Sequence, residues 1–283
     1  MEIGIQWPLV LFTVISGAGY GVLAATGAAR LAGKQGAATC KVALVVAMAL
    51  LGVGGLMSVF HLAHPERFMA AIANLLSFSG IALELIGLAL GFAAAALFLV
   101  FASTGNRAGE KTLAACSVAI GAVAAFLQGW AYFEVAAQAG WSTPALPASY
   151  LFTSLAAGVL VYAAIAAAKK EDAAALKLTG TIAATLAALA VVAVAAYAAA
   201  LGGAGLLEGA ATAFVVLAAV LELATLGLAA WFAFKAPALT IALAGVLVGV
   251  GGSIALRVLM WLVASYQYSF IWDAAANRGL YLF

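Results

Sequence analysis

The sequence predicts an all-α, polytopic membrane protein with eight transmembrane helices. Its 283 residues are 67% hydrophobic and only 8% charged, and the mean hydropathy is +1.20. Eight apolar runs reach the roughly 20 residues that a helix needs to cross a bilayer. None of them shows strand-like alternation, and backbone groups in lipid must be paired within their own segment, which favours helices. Too little chain remains for a separate soluble catalytic domain.

The apolar runs are rich in alanine, leucine, valine and glycine, and short polar connections separate them. We expect helices at roughly 8–31, 42–63, 80–102, 113–137, 149–168, 178–201, 209–234 and 238–265. The letters LFT occur at the start of the first run and again at the start of the fifth, each followed by small residues. A repeat four helices apart allows a parallel duplication into two four-helix bundles. The composition shared by membrane helices explains the repeated letters equally well.

Lysines and arginines are distributed unevenly between the two sides of the membrane. Nine of the twelve lie at the connections after the first, third, fifth and seventh helices: Arg30, Lys34, Lys41, Arg107, Lys111, Lys169, Lys170, Lys177 and Lys235. The positive-inside rule then places both termini outside the cytoplasm. The aromatic tail 266–283 would lie on that outer side, where it suits either interfacial anchoring or the docking of a partner.

The only two histidines, His61 and His64, lie three residues apart at the end of the second predicted helix. Glu66 and Arg67 then begin a segment, 66–78, whose apolar residues recur at helical spacing, as in a helix that lies on the bilayer surface. Glu84 comes near the start of the third helix, at a similar depth. We therefore expect the two histidines, Arg67 and Glu84 to converge near one interface.

A histidine and a carboxylate at a membrane interface can accept the two protons that a quinol releases with its two electrons. The alternative is a structural cap, in which His61 bonds a backbone carbonyl and Glu84 pairs with Arg67. A bound haem is not expected, because two histidines on one helix cannot occupy opposite axial positions of one iron. The sequence also predicts neither a metal site nor a nucleic-acid partner.

Two further ionisable residues fall deep within predicted helices. Glu222 lies in the middle of the seventh and Arg257 in the outer half of the eighth, at depths that differ by roughly 10 Å if the helices are upright. We expect a buried structural ion pair between them. The alternatives are a proton path through Glu222 and a pocket wall formed by Arg257.

Three motifs resemble the DmsC family, the membrane anchors of dimethyl-sulfoxide-reductase-type complexes. Residues 7–13 (WPLVLFT) are similar to the family's W-P-L-x-x-F-T, and residues 58–67 (SVFHLAHPER) to its S-x-x-H-L-G-x-P-x-R. Residues 251–257 (GGSIALR) resemble its final G-E-x-x-G-R, with Arg257 retained and with Gly252 in place of the glutamate. The resemblance extends through all eight predicted helices.

This resemblance implies an anchor within an oxidoreductase complex of anaerobic respiration. Its partners would be the lipid bilayer, a ferredoxin-like iron–sulfur subunit and a molybdopterin catalytic subunit, and those two subunits would hold all the clusters and the molybdopterin. The anchor would oxidise menaquinol near the outer face. His61 and Glu84 would bind the quinol and accept its protons, and Arg67 and Arg257 would support them. His64 is a further candidate for quinol binding, although it matches a position that varies within the family. Two alternatives remain: quinone reduction by the same anchor, as in a sulfite-oxidising complex, and a transporter or proton channel.

Overall fold

The computed structural model describes residues 4–62 and 68–264. Within these ranges the protein is all helical, and eight of the helices are long and apolar enough to cross a membrane, which confirms the predicted fold class. The helices are α1 (Trp7–Leu31), α2 (Ala37–Val59), α3 (Phe68–Ala73), α4 (Gly80–Thr104), α5 (Arg107–Phe133), α6 (Ala145–Ala168), α7 (Ala173–Gly203), α8 (Gly209–Phe234) and α9 (Leu239–Leu262). A short 3-10 turn, Leu75–Ser77, separates α3 from α4.

Several helices begin or end away from the limits of the apolar runs. The helix α5 begins at Arg107 rather than at residue 113, because the Asn106 side chain accepts a hydrogen bond from the Gly109 amide at 3.0 Å and caps it. Asp172 caps α7 in the same way, through the Ala175 amide at 2.7 Å. The helix α2 ends at Val59, four residues before the apolar run does. Hydropathy therefore locates the membrane-spanning part of a helix, whereas caps locate its ends.

The spans form two rings of four helices. In the first, α1 and α4 each pack against both α2 and α5, and in the second, α6 and α8 each pack against both α7 and α9. The division into two four-helix bundles is therefore confirmed. The bundles meet mainly where α6 contacts α1 and α5.

Small residues form the contact between α1 and α6, and these two helices are the most buried of the eight spans. A Cβ added to Gly21 would lie 2.8 Å from the Cα of Gly158 and 2.9 Å from the carbonyl oxygen of Ser154. The two backbones are therefore in direct contact, as small residues allow in membrane helices. The helices α2, α4 and α8 present most of their surface outward, towards lipid.

The predicted interfacial segment is helical over most of its described length. The helix α3 and the 3-10 turn join α2 to α4, and their apolar side chains Met69, Ile72 and Leu76 are exposed. Exposed apolar residues beside a helix end are typical of a segment at the membrane surface. This segment lies beside the site described next.

Candidate functional site

A cavity of about 240 Å³ lies where α2 ends and α4 begins. Residues of α1, α2, α4, α5 and α9 line it, together with the connections that follow α2 and α5. They are Leu9, Phe12, Ser58, His61, Leu62, Ile81, Glu84, Leu85, Ala131, Tyr132, Val135, Trp141 and Trp261. The lining is mainly apolar, and besides Tyr132 its ionisable side chains among the described residues are His61 and Glu84.

His61 lies just after the end of α2, where the chain leaves the helix. Its Nδ1 donates a hydrogen bond to the backbone carbonyl of Ser58. Since a carbonyl oxygen can only accept, Nδ1 carries the proton, and Nε2 of a neutral imidazole is left as an acceptor. This contact agrees with one part of the structural-cap alternative, and it also orients the ring on the cavity wall.

Glu84 lies just over one turn into α4. The Ser79 hydroxyl caps this helix by accepting a hydrogen bond from the Ala82 amide at 3.4 Å, which directs the first turn past the cavity. Glu84 Oε1 is buried, and no described residue hydrogen-bonds it. A buried carboxyl oxygen without a partner is costly, so such a group is a candidate for binding a ligand.

Three aromatic side chains close the inner side of the cavity. The Trp141 ring lies edge-on to both Tyr132 and Trp261, with centroids 5.3 Å away in each case. Trp141 Nε1 donates to the carbonyl of Met260 at 2.8 Å, and the Tyr197 hydroxyl donates to the carbonyl of Gly140 at 2.8 Å. These bonds hold the connection between α5 and α6 in place, so the wall is rigid and suits a planar aromatic ligand.

Arg257 lies behind this wall and does not line the cavity. Its guanidinium donates to the hydroxyls of Thr153 and Ser154 at 2.9 Å each, and it stands 4.1 Å from the ring centroid of Tyr150. Tyr150 in turn packs against Tyr132, with centroids 5.8 Å apart. Arg257 is therefore connected to the cavity through the packing of these two tyrosines.

The predicted ion pair between Glu222 and Arg257 is wrong. Both carboxyl oxygens of Glu222 are buried without a hydrogen-bond partner in the described ranges, and the guanidinium is bound to α6 instead. The hydroxyls of Thr153 and Ser154 are the reason, because they supply two acceptors at ideal distance. Glu222 instead lies against Gly252, where an added Cβ would stand 2.5 Å from Oε1.

The chain was compared with models of known protein families. The model of the DMSO reductase anchor subunit (DmsC) matches residues 1–263. The chain belongs to the DmsC family. A search of curated proteins found no match. The resemblance inferred from the three motifs is thus confirmed, and the protein is a multi-pass membrane anchor of the DMSO reductase type.

Two residues that the motifs assign to the anchor's site, His64 and Arg67, lie outside the described residues, as does the aromatic tail 266–283. Of the remaining three, the structure brings His61 and Glu84 into one cavity and separates Arg257 from it. Sequence reasoning did not assign the aromatic wall to the site. The available signal was that all three aromatic residues occur at span ends on the side of the membrane predicted for His61.

Glu134 lies near this cavity in the sequence but does not line it. It is exposed, just after the end of α5, and its carboxylate accepts a hydrogen bond from Trp130 Nε1 at 2.9 Å. Its position is that of a surface residue beside the site.

Proposed function

We propose that this chain is the quinol-oxidising anchor of its complex, and that menaquinol binds in the cavity between α2 and α4. Electrons would pass to an iron–sulfur subunit and on to a molybdopterin catalytic subunit, which together hold the clusters and the molybdopterin. The observation that carries the proposal is the placement of an imidazole and a partnerless buried carboxyl oxygen in one apolar cavity with an aromatic wall. The direction of flow depends on the potentials of the partners, and quinone reduction would use the same cavity.

Each residue has a defined task in this proposal. Oxidation of a quinol to a quinone releases two electrons and two protons, one from each hydroxyl. The acceptor Nε2 of His61 takes one proton and the carboxylate of Glu84 the other, because these are the basic groups of the described lining. Arg67 and His64 are proposed as further quinol-binding residues, and Arg257 is proposed to hold Tyr150 and, through it, Tyr132.

The cavity is proposed to open at the outer face of a bacterial cytoplasmic membrane. The support is the distribution of basic residues, since the opposite end of the bundle carries those after α1, α4, α6 and α8. Protons from the quinol would then leave on the outside, and the partner subunits would dock there.

The proposal is tested by replacing the two proton acceptors in the assembled complex. We expect His61→Ala and Glu84→Gln each to lower the kcat for menaquinol oxidation by about 100-fold, the typical contribution of a general base. Turnover with a soluble reductant that feeds the catalytic subunit directly should not change, because that reaction bypasses the cavity.

Glu134→Gln is the matched control, since Glu134 lies at the same end of the bundle but outside the cavity. It should oxidise menaquinol at the normal rate. Normal turnover in His61→Ala would refute the site. A loss of assembled complex in that variant, with normal turnover of the remainder, would favour the structural cap.

A further inference from the structure

A second depression runs along the outer surface of the first bundle, between α2 and α4. We call it the α2–α4 groove, and its volume is about 670 Å³. Its described lining contains no ionisable side chain: Leu51, Gly52, Gly55, Leu56, Ser58, Val59, Ile72, Leu75, Leu85, Leu88, Ala89, Phe92 and Ala93. Such a surface suits a hydrocarbon chain and no charged ligand.

The groove adjoins the site cavity. Ser58 and Leu85 line both of them, one from each helix that flanks the junction. From this junction the groove runs down α2 to Gly52, which is about two helical turns, or roughly 10 Å, at 1.5 Å per residue. It therefore leads from the membrane surface, where Ile72 and Leu75 border it, into the hydrocarbon region.

The groove remains open because α2 carries glycine where a side chain would fill it. A Cβ added to Gly52 would meet only the Phe92 ring edge, at 4.0 Å. The residue is exposed, as are Ala89 and Ala93 on the opposite wall. Larger side chains fit at these positions without disturbing the bundle. Packing within the bundle therefore does not require small residues here.

A similar groove on the other side of α4 provides a comparison. It lies between α4 and α5, has a volume of about 220 Å³ and is lined by apolar residues that include Leu83, Ala119 and Val123. It shares no lining residue with the site cavity. In the described part of the chain the cavity thus adjoins an apolar groove along α2 and shares no lining residue with the groove along α5.

We propose that the α2–α4 groove binds the isoprenoid chain of the quinol whose head group occupies the cavity. This inference rests on the proposed function, because it takes the head-group position from there. The cavity accommodates a bicyclic ring system, and the attached chain must leave it towards hydrocarbon, where contact with a preformed groove adds dispersion attraction. The groove thereby selects long-chain quinols over their tail-less analogues.

The test uses the full chain in lipid nanodiscs and measures quenching of tryptophan fluorescence, since Trp141 and Trp261 line the cavity. The probes are menaquinone-4, which has an isoprenoid chain, and menadione, which has the same ring system without one. Gly52→Phe and Ala89→Phe each fill the groove. Ala119→Phe, in the groove between α4 and α5, is the matched control.

We expect both groove variants to weaken saturable binding of menaquinone-4 by about tenfold, equivalent to about 1.4 kcal/mol, and to leave menadione binding unchanged. Unchanged menadione binding also shows that the variants are folded. Ala119→Phe should behave like the wild type with both probes.

Three results would overturn the inference, and they differ in whether the proposed function also fails. If menaquinone-4 binds normally to both groove variants, the groove holds only lipid and the proposed function stands. If only Ala119→Phe weakens menaquinone-4, the chain leaves between α4 and α5. If menadione shows no saturable binding to the wild type, the head-group site fails and the proposed function fails with it.

Discussion

Replacement of Gly21 by alanine is expected to destabilise the protein more than the same change at another helical glycine. Gly21 lies where α1 meets α6, and an added Cβ would stand 2.8 Å from Gly158 Cα, 2.9 Å from the Ser154 carbonyl oxygen and 3.0 Å from that of Leu155. All three atoms belong to the backbone of α6. No side-chain rotation can relieve the contact, so the two helices must separate.

The size of the effect follows from these distances. Carbon atoms pack best at about 3.5–4.0 Å, so α1 and α6 would have to move apart by roughly 0.7 Å or more. Forcing an extra methyl group into a packed core costs about 1–3 kcal/mol. Alanine also favours the helix over glycine by about 1 kcal/mol, which offsets part of that cost.

Gly227→Ala separates the cost of the contact from the gain in helix propensity. Gly227 lies in α8, and an added Cβ there would meet nothing within 4 Å. The gain in helix propensity is common to both variants, so their difference isolates the contact. We expect Gly21→Ala to unfold with a free energy about 1–3 kcal/mol below that of Gly227→Ala, measured by titration with sodium dodecyl sulfate and followed by circular dichroism. Equal free energies for the two variants would show that α1 and α6 are not in backbone contact.

Two further predictions address the buried charges and the orientation. Arg257→Lys should lower the unfolding free energy by about 1–3 kcal/mol in the same titration, because one ammonium cannot reproduce the forked contact with Thr153 and Ser154. Glu222→Gln should change the unfolding free energy by less than about 0.5 kcal/mol, since no described residue hydrogen-bonds that carboxyl group. A larger loss of unfolding free energy in Glu222→Gln than in Arg257→Lys would instead support an ion pair between Glu222 and Arg257. A phosphatase that is active only outside the cytoplasm should be active when fused after Phe283, and cytoplasmic exposure of that fusion would contradict the orientation drawn from the basic residues.

Hydropathy was sufficient for the membrane spans, because lipid imposes a length and a composition on every segment that crosses it. It was also sufficient to set His61 and Glu84 at one depth, since each lies a few residues from the end of a span. Depth alone does not show which way a helix faces. This is why the sequence predicted an ion pair for Arg257 with Glu222, whereas rotation about α9 brings the guanidinium to the hydroxyls of α6.

The aromatic wall could not be predicted, for a different reason. Tyr132, Trp141 and Trp261 come from two helices and a connection that are distant in the sequence. Aromatic residues at span ends are equally typical of anchoring at the membrane interface. Only the packing of the two bundles decides between these roles, and that packing depends on contacts between small residues that are common in every span.

The contact between Gly21 and Gly158 also has a consequence for how the protein is made. The helix α1 leaves the ribosome before its partner α6, which follows only after α2, α4 and α5 have been synthesised. Until then the small-residue face of α1 lies against lipid. Trp261, on the last helix, arrives later still. The first bundle is therefore synthesised before the partner of its small-residue face, and the cavity lining is complete only once α9 has been made.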